Sequence, residues 1–412
     1  MANMVDYLAW RGDIPFAAAP WNELDGLLTA SVSYLDFNGG RDPRGWTIEE
    51  MQRIGLLQDN PDSPSFPSRK QAFEGMAAGE RFRGCRIHHA IGMTDEEIKI
   101  QFSAMCIDLP DGTTCIAFRG TDNTIVGWQE DFNMAFTARV PAQEAAVVYL
   151  ARAAELPELS GRKLRVTGHS KGGNLAVYAS ACASEAIQER IESIWVYDAP
   201  GMNREMAQDE GYLRIKGRVH SFIPQTSIIG LLMDYYDPYT VVYSTATGMS
   251  QHDPSSWQVY GPRFETKPEV DQTAKVVRDT LHDWMENSTP EQRGAFVDAL
   301  FQLVETTKAT KVSELTGEKL KTMMKMIGNR KEVNPEARRV FTRLMAQAIS
   351  LGFGNVIEMV RSRKDDNGND TAEAVLPESA DETAETTGSE GGKKQTRGTN
   401  KETPGATNTL DK

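Results

Sequence analysis

Cysteine is scarce in this chain, with four among 412 residues: Cys85, Cys106, Cys115 and Cys182. Their scatter excludes a disulfide framework and offers none of the paired spacings of a metal motif, so buried reduced thiols are expected. Cys106 and Cys115, on neighbouring expected strands, are the one pair placed to approach each other. Long apolar runs are missing too. No stretch of about 18 apolar residues occurs, which excludes a membrane-spanning helix. The first twenty residues carry Asp6, Arg11 and Asp13 where a secretory signal needs an unbroken apolar segment. A cytoplasmic protein is expected. There is no basic excess: 45 Lys and Arg stand against 58 Asp and Glu, a net charge of −13, which argues against nucleic acid or an anionic membrane as the main partner. The glycine-rich segment 168–174 lacks the G-x-x-x-x-G-K-[ST] spacing that cradles phosphates, so no nucleotide is implied. Neither a metal nor a cofactor is expected.

The length allows about two domains. Residues 1 to about 90 read as helical and loop-like, with a proline- and serine-rich break from Asp59 to Ser68. Strands are expected at Ile98 to Leu109 and Thr114 to Phe118, joined by the turn Pro110-Asp111-Gly112. Helical patterns follow at Trp128 to Phe136 and Pro141 to Glu155. Short apolar runs at Ser193 to Tyr197, Val219 to Ile223 and Val241 to Tyr243 complete an alternation of strands and helices, which predicts a three-layer α/β fold with a mostly parallel sheet over residues 1–265. From about 266 the periodicity is helical only: Val270, Ala274, Val277, Leu281 and Trp284 share one face. Thr289-Pro290-Glu291 and Asn334-Pro335-Glu336 each put a capping residue before a proline at a helix start. Residues 266–362 are therefore expected as a helical appendage whose apolar faces need a partner surface, on the same chain or another. Residues 363–412 are polar and acidic, with Val375, Leu376 and Leu410 almost the only large apolar side chains, and predict a disordered tail.

The run Val166-Thr167-Gly168-His169-Ser170-Lys171-Gly172-Gly173-Asn174-Leu175-Ala176 carries the chemistry. An apolar strand, a G-x-S-x-G turn and an apolar helical face follow one another, as a nucleophile elbow requires. Gly168, Gly172 and Gly173 flank a turn too tight for side chains. A serine hydroxyl needs a base to take its proton and an acid to orient that base. In α/β-hydrolases the chain order is serine, acid, histidine. Of six histidines, His88 and His89 precede the serine, His169 lies in the elbow, His220 in a strand and His282 on a helix. Only His252 follows the last expected strand in a loop, within Ser250-Gln251-His252-Asp253-Pro254. For the acid, Asp198 ends the strand Ile194-Trp195-Val196-Tyr197, with Asp234 and Asp237 as rivals. The oxyanion of the tetrahedral intermediate needs backbone N–H donors: Lys171, directly after the serine, and Thr121 in the turn Arg119-Gly120-Thr121. The Lys171 side chain is expected at solvent, with a cation favouring anionic substrates as the other reading. The apolar residues among 228–236 are candidates for an acyl pocket.

Phe118-Arg119-Gly120-Thr121, Trp128, Asp131 and Val166 to Gly173 resemble the corresponding stretches of class 3 lipases. With Asp6-Tyr7-Leu8, Tyr34-Leu35-Asp36-Phe37, Ser250-Gln251-His252-Asp253 and Trp257-Gln258-Val259, the chain over residues 1–262 is most similar to a bacterial family of lipase-like α/β-hydrolases of unassigned function. The resemblance implies Ser170 as nucleophile, Thr121 in the oxyanion hole and His252 as base, with Arg119 and Asp131 as supports. One departure stands out. Class 3 lipases carry the acid after the second strand beyond the elbow strand, whereas Phe222-Ile223-Pro224-Gln225-Thr226-Ser227 has no carboxylate, which moves the expectation to Asp198.

The sequence thus points to a serine hydrolase of lipase or esterase type acting on a small-molecule or lipid ester, thioester and amide substrates remaining open. The rival reading is a catalytically silent hydrolase fold that binds a protein partner through residues 266–362.

Overall fold

The computed structural model describes residues 2–301 except 39–41, 43, 61–62, 64, 123–124, 137–138, 228, 234–237, 290 and 295–300. The strands are β1 (Trp46–Thr47), β2 (Arg86–Asp95), β3 (Ile100–Asp108), β4 (Thr114–Phe118), β5 (Leu164–His169), β6 (Ile191–Tyr197), β7 (Val219–Pro224), β8 (Tyr239–Val242), β9 (Val259–Tyr260), β10 (Arg263–Phe264) and β11 (Thr266–Lys267). Nine of them form one sheet in the order β1-β2-β3-β4-β5-β6-β7-β8-β11, and β9 pairs with β10. From β4 to β8 every neighbour is parallel; β1 to β3 and β11 extend the edges antiparallel.

This order dictates the layers. Each parallel crossover steps to the next strand in the same direction, and right-handed crossovers then put their helices on one face. That face carries α5 (Ile125–Phe136), α6 (Pro141–Ala154), α7 (Lys171–Cys182) and, after the short α8 (Glu185–Gln188) and α9 (Arg204–Ala207), α10 (Glu210–Ile215). Their apolar sides meet Cys106, Ile116, Val166 and Ile194. The opposite face needs another cover. The N-terminal helices supply it: α1 (Met4–Arg11), α2 (Glu23–Val32), α3 (Ile48–Ile54) and α4 (Phe66–Ala78) pack over Ile107, Cys115, Ala117 and Tyr197. The result is a three-layer α/β-hydrolase architecture.

The hairpin of β3 and β4 stands where its turn signal placed it. Two expectations change. Strand structure starts before residue 90, because β1 and β2 extend the sheet; β2 alternates poorly, with His88 and His89 consecutive and Gly92 in its exposed half. Cys106 and Cys115 do not approach: Cys115 pairs in register with Ile107, so the two thiols lie on opposite faces of the sheet. All four cysteines are free; Cys85, Cys106 and Cys115 are buried as expected, whereas Cys182, the last residue of α7, is exposed.

The segment from 266, expected to be helical only, opens instead with β11, which pairs with β8 at the edge of the sheet, and its first helix is α11 (Gln272–Glu286). Val270 and Ala274 are buried with Ile223, Leu231 and Val241, and Asp271 N–H donates to Gln225 O at 2.7 Å, so its start is seated on the β7–β8 end of the sheet. Thr289 and Gln292 exchange reciprocal capping hydrogen bonds of 2.9 and 3.3 Å. The expected helix start at Asn334-Pro335-Glu336 and the tail 363–412 lie outside the described residues. No described helix is long and apolar enough to cross a membrane.

Candidate active site

Ser170 sits between β5 and the first turn of α7 with φ 58° and ψ −137°. A non-glycine residue held there costs about 1–3 kcal/mol, and the surroundings enforce it. A Cβ on Gly168 would meet the Gly172 carbonyl carbon at 2.1 Å; one on Gly172 would meet Phe118 O at 2.2 Å and Gly120 N at 2.9 Å; one on Gly173 would meet Ala199 Cβ at 2.6 Å. The three glycines let strand, helix and the Arg119-Gly120-Thr121 turn close on one another. The turn and the N-terminus of α7 are thereby adjacent, with the Lys171 N–H among those that have no intrahelical acceptor.

Asp198 and His252 come together from opposite sides of β7. Asp198 follows β6 with φ 44° and is 1% exposed; His252 ends a short 3₁₀ turn (Gly248–His252) after β8. His252 Nδ1 lies 2.6 Å from Asp198 Oδ2. The carboxylate can only accept when ionised, so Nδ1 carries the hydrogen and Nε2 is left as the free lone pair. The other carboxylate oxygen, Oδ1, accepts from Ser227 Oγ and from Gly230 N–H at 3.1 Å. Ser227 belongs to the segment after β7 that lacks a carboxylate, so the residue found there holds the aspartate from β6. Asp234 and Asp237 lie outside the described residues. Among the described residues no hydrogen bond joins Ser170 Oγ to the His252 ring. Bonds of this kind often tighten only when substrate is bound.

His169, which the sequence marks only as an internal elbow residue, takes a positioning task in the structure. Its Nε2 faces His252 O at 2.7 Å and its Nδ1 faces Tyr34 Oη at 2.9 Å. A carbonyl only accepts, so Nε2 carries the proton and Nδ1 accepts from the tyrosine. Burial first, then His252 and Arg69, push the His169 pKa well below its ordinary value, keeping it neutral. The His169 and His252 rings lie 4.5 Å apart. Arg69 in turn stacks on Tyr34, its Cζ 3.6 Å from the ring centroid.

The expectation for the Lys171 side chain is overturned. It is 1% exposed and turns inward, its Nζ donating to Gln101 O and Gln101 Oε1 at 2.8 Å each and to Glu130 Oε2 at 2.9 Å. Glu130 also accepts from Gln101 N–H and Ala142 N–H. From the first position of α7 the side chain reaches across to β3 and α5, where the buried Glu130 carboxylate compensates the ammonium. Thr121 Oγ1 donates to Asp131 Oδ2. Burial is the main cause that raises the Asp131 pKa, to about 6, against the opposing pull of Lys171. Of the segment 228–236, Leu231 joins the core beneath α11 and Met233 lines a small cleft, while Ile228, Tyr235 and Tyr236 lie outside the described residues.

The model of the Mbeg1-like family matches residues 76–302, more than half of the chain. The chain belongs to the Mbeg1-like family. Among solved structures this Mbeg1-like chain is similar to a lipase from Rhizopus microsporus var. chinensis, with 17% identity over 59% of this chain and 91% of that one and a TM-score of 0.33. It is similar also to M37 lipase, with 15% identity over 51% and 69% and a TM-score of 0.31. No curated protein matches it.

Proposed function

We propose that this Mbeg1-like protein is a serine hydrolase that cleaves a carboxylic ester through an acyl-enzyme. The observation that carries the reading is the Asp198–His252 hydrogen bond, with His252 tied through its carbonyl to His169, the neighbour of a Ser170 held at φ 58°. In this mechanism His252 Nε2 takes the Ser170 proton as Oγ attacks the ester carbonyl. Asp198 keeps the imidazole in the tautomer that can accept and stabilises the imidazolium that results. The N–H groups of Lys171 and Thr121 face the developing oxyanion, with the Thr121 side chain tethered by Asp131. His252 returns its proton to the leaving alcohol; a water then repeats the sequence on the acyl-enzyme. No metal or cofactor enters these steps.

The domain division belongs to the same proposal: a hydrolase body over 1–265, a helical segment over 266–362 that starts on that body, and a polar tail beyond. Rapid mixing with p-nitrophenyl acetate and butyrate tests the reading. A burst of nitrophenol near one equivalent, absent from Ser170→Ala, is expected. No burst and no turnover on esters, thioesters or anilides would favour the silent interaction platform.

A further inference from the structure

In a regular strand His88 and His89 would point to opposite faces of the sheet. Here the register of β2 against β3 slips between His88 and Ile91, His89 takes φ 48°, and the two rings turn toward each other with centroids 4.9 Å apart. Their Nδ1 atoms lie 2.7 Å apart. The far nitrogens face carboxylates: His88 Nε2 is 3.4 Å from Asp108 and His89 Nε2 is 3.8 Å from Glu158. Asp108 is engaged as an anion, accepting from Thr114 Oγ1 at 2.6 Å and pairing with Arg162 at 3.0 Å.

The 2.7 Å contact is a hydrogen bond between the rings, Nδ1–H of one to the Nδ1 lone pair of the other, and His88 Nε2 is buried without a hydrogen-bond partner among the described residues. The bulge thus brings two imidazoles together with two carboxylates beside them. The donor set of His88, His89 and Glu158 brings its ligand atoms within 4.8 Å of one another. Two imidazoles and a carboxylate suit ions of the zinc class.

We infer that His88 and His89, through one ring nitrogen each, and Glu158 bind a divalent transition-metal ion of the zinc class, with Asp108 beside His88. The site departs from the expectation of no metal, which rested on cysteine spacing. It is also far from the chemistry. Asp108 pairs with Thr114 and Thr114 with Leu164, the first residue of β5, whereas Ser170 follows its last. Glu158 lies in the short turn Pro157–Leu159 that leads into β5. The ion would therefore clasp the β2 bulge to the entry of the elbow strand, a structural task rather than a catalytic one.

Titration calorimetry with Zn²⁺ on the full, tag-free, chelator-treated chain tests this, together with Co²⁺ absorption and thermal melting. One Zn²⁺ per chain, a tetrahedral Co²⁺ spectrum and a melting point raised by several degrees are expected. His88 is buried, and its replacement risks the fold. His89→Asn keeps a residue type that tolerates the left-handed backbone, and it should weaken Zn²⁺ at least tenfold and abolish the melting shift. Glu158→Gln, at an exposed position, should weaken it less. Zn²⁺ uptake unchanged in His89→Asn, or no uptake by wild type up to millimolar Zn²⁺ with the two rings instead sharing a proton by NMR, would overturn the inference.

Discussion

At the scale of single residues, groups that look alike in sequence have distinct surroundings. Asp198→Asn should lower kcat by on the order of 10³–10⁴ with the fold intact, because the amide favours the wrong imidazole tautomer. Asp253→Asn, one residue from His252, should cost far less; equal losses in ester-hydrolysis assays would contradict the hydrogen bond as the source of the effect. Asp131 gives a pH-dependent prediction. Its folded pKa is raised to about 6, so its contribution to stability is fully present below the ordinary carboxylate value and is lost as pH rises through about 6. Asp131→Asn should therefore gain in melting temperature relative to wild type between about pH 4 and 6 and hold that gain above. A gain that shrinks with pH over that range would show the sign to be wrong. Ser170 and His252 stand out as candidates because an elbow has a local signature and His252 is the one histidine in a loop after the last expected strand, although the short β9 to β11, which carry no pattern of their own, follow it. Tasks that depend on contact across the fold were not. His169 bracing the His252 main chain and Ser227 holding Asp198 join residues 83 and 29 positions apart, and no local pattern encodes such pairings.

At the scale of elements, the glycines and the buried Lys171 fasten the strand-turn-helix unit. Gly172→Ala drives a methyl into the Phe118 carbonyl and should leave little folded protein, whereas Gly217→Ala, with no atom within 4 Å of the added carbon, should melt as wild type. Gly230→Ala is subtler. Its methyl would fall 2.6 Å from Asp198 Oδ1, so activity should drop more than stability. The Lys171–Glu130 pair ties α7 to α5, β3 and α6. Lys171→Met leaves Glu130 as an uncompensated buried charge at a cost of about 3–5 kcal/mol, most of which Lys171→Met with Glu130→Gln should restore. Denaturant melts of the single and double variants check this; a double variant no more stable than the single would mean that the pair is not the source. The periodic helices and the β3–β4 hairpin were readable because each carries its own pattern. β2 was not, since a bulge with two adjacent histidines breaks the alternation that marks a strand. The Lys171 side chain was misjudged for a related reason: charge suggests solvent, and only the closed elbow turns it inward.

At the scale of the whole molecule, one-way strand order leaves a sheet face that the N-terminal helices must cover, and it leaves β7 and β8 to be capped by the start of α11. Ending the chain at 265 removes Val270 and Ala274 from their seat on Ile223, Leu231 and Val241, so that fragment should aggregate, whereas ending it at 362 should leave melting and hydrolysis unchanged. A soluble, fully stable 1–265 fragment would make the helical segment an independent module. Alternating strands and helices made the layer architecture readable from sequence; the N-terminal cover follows only from strand order, which the sequence does not display. The central claim is that the elbow, Asp198 and His252 activate Ser170. Fluorophosphonate labelling with peptide mass spectrometry tests it most directly. Stoichiometric label on Ser170 in wild type, lost in Ser170→Ala and slowed by orders of magnitude in folded His252→Ala, is the predicted result. No label on Ser170, or label on Ser170 at an unchanged rate without His252, would contradict it.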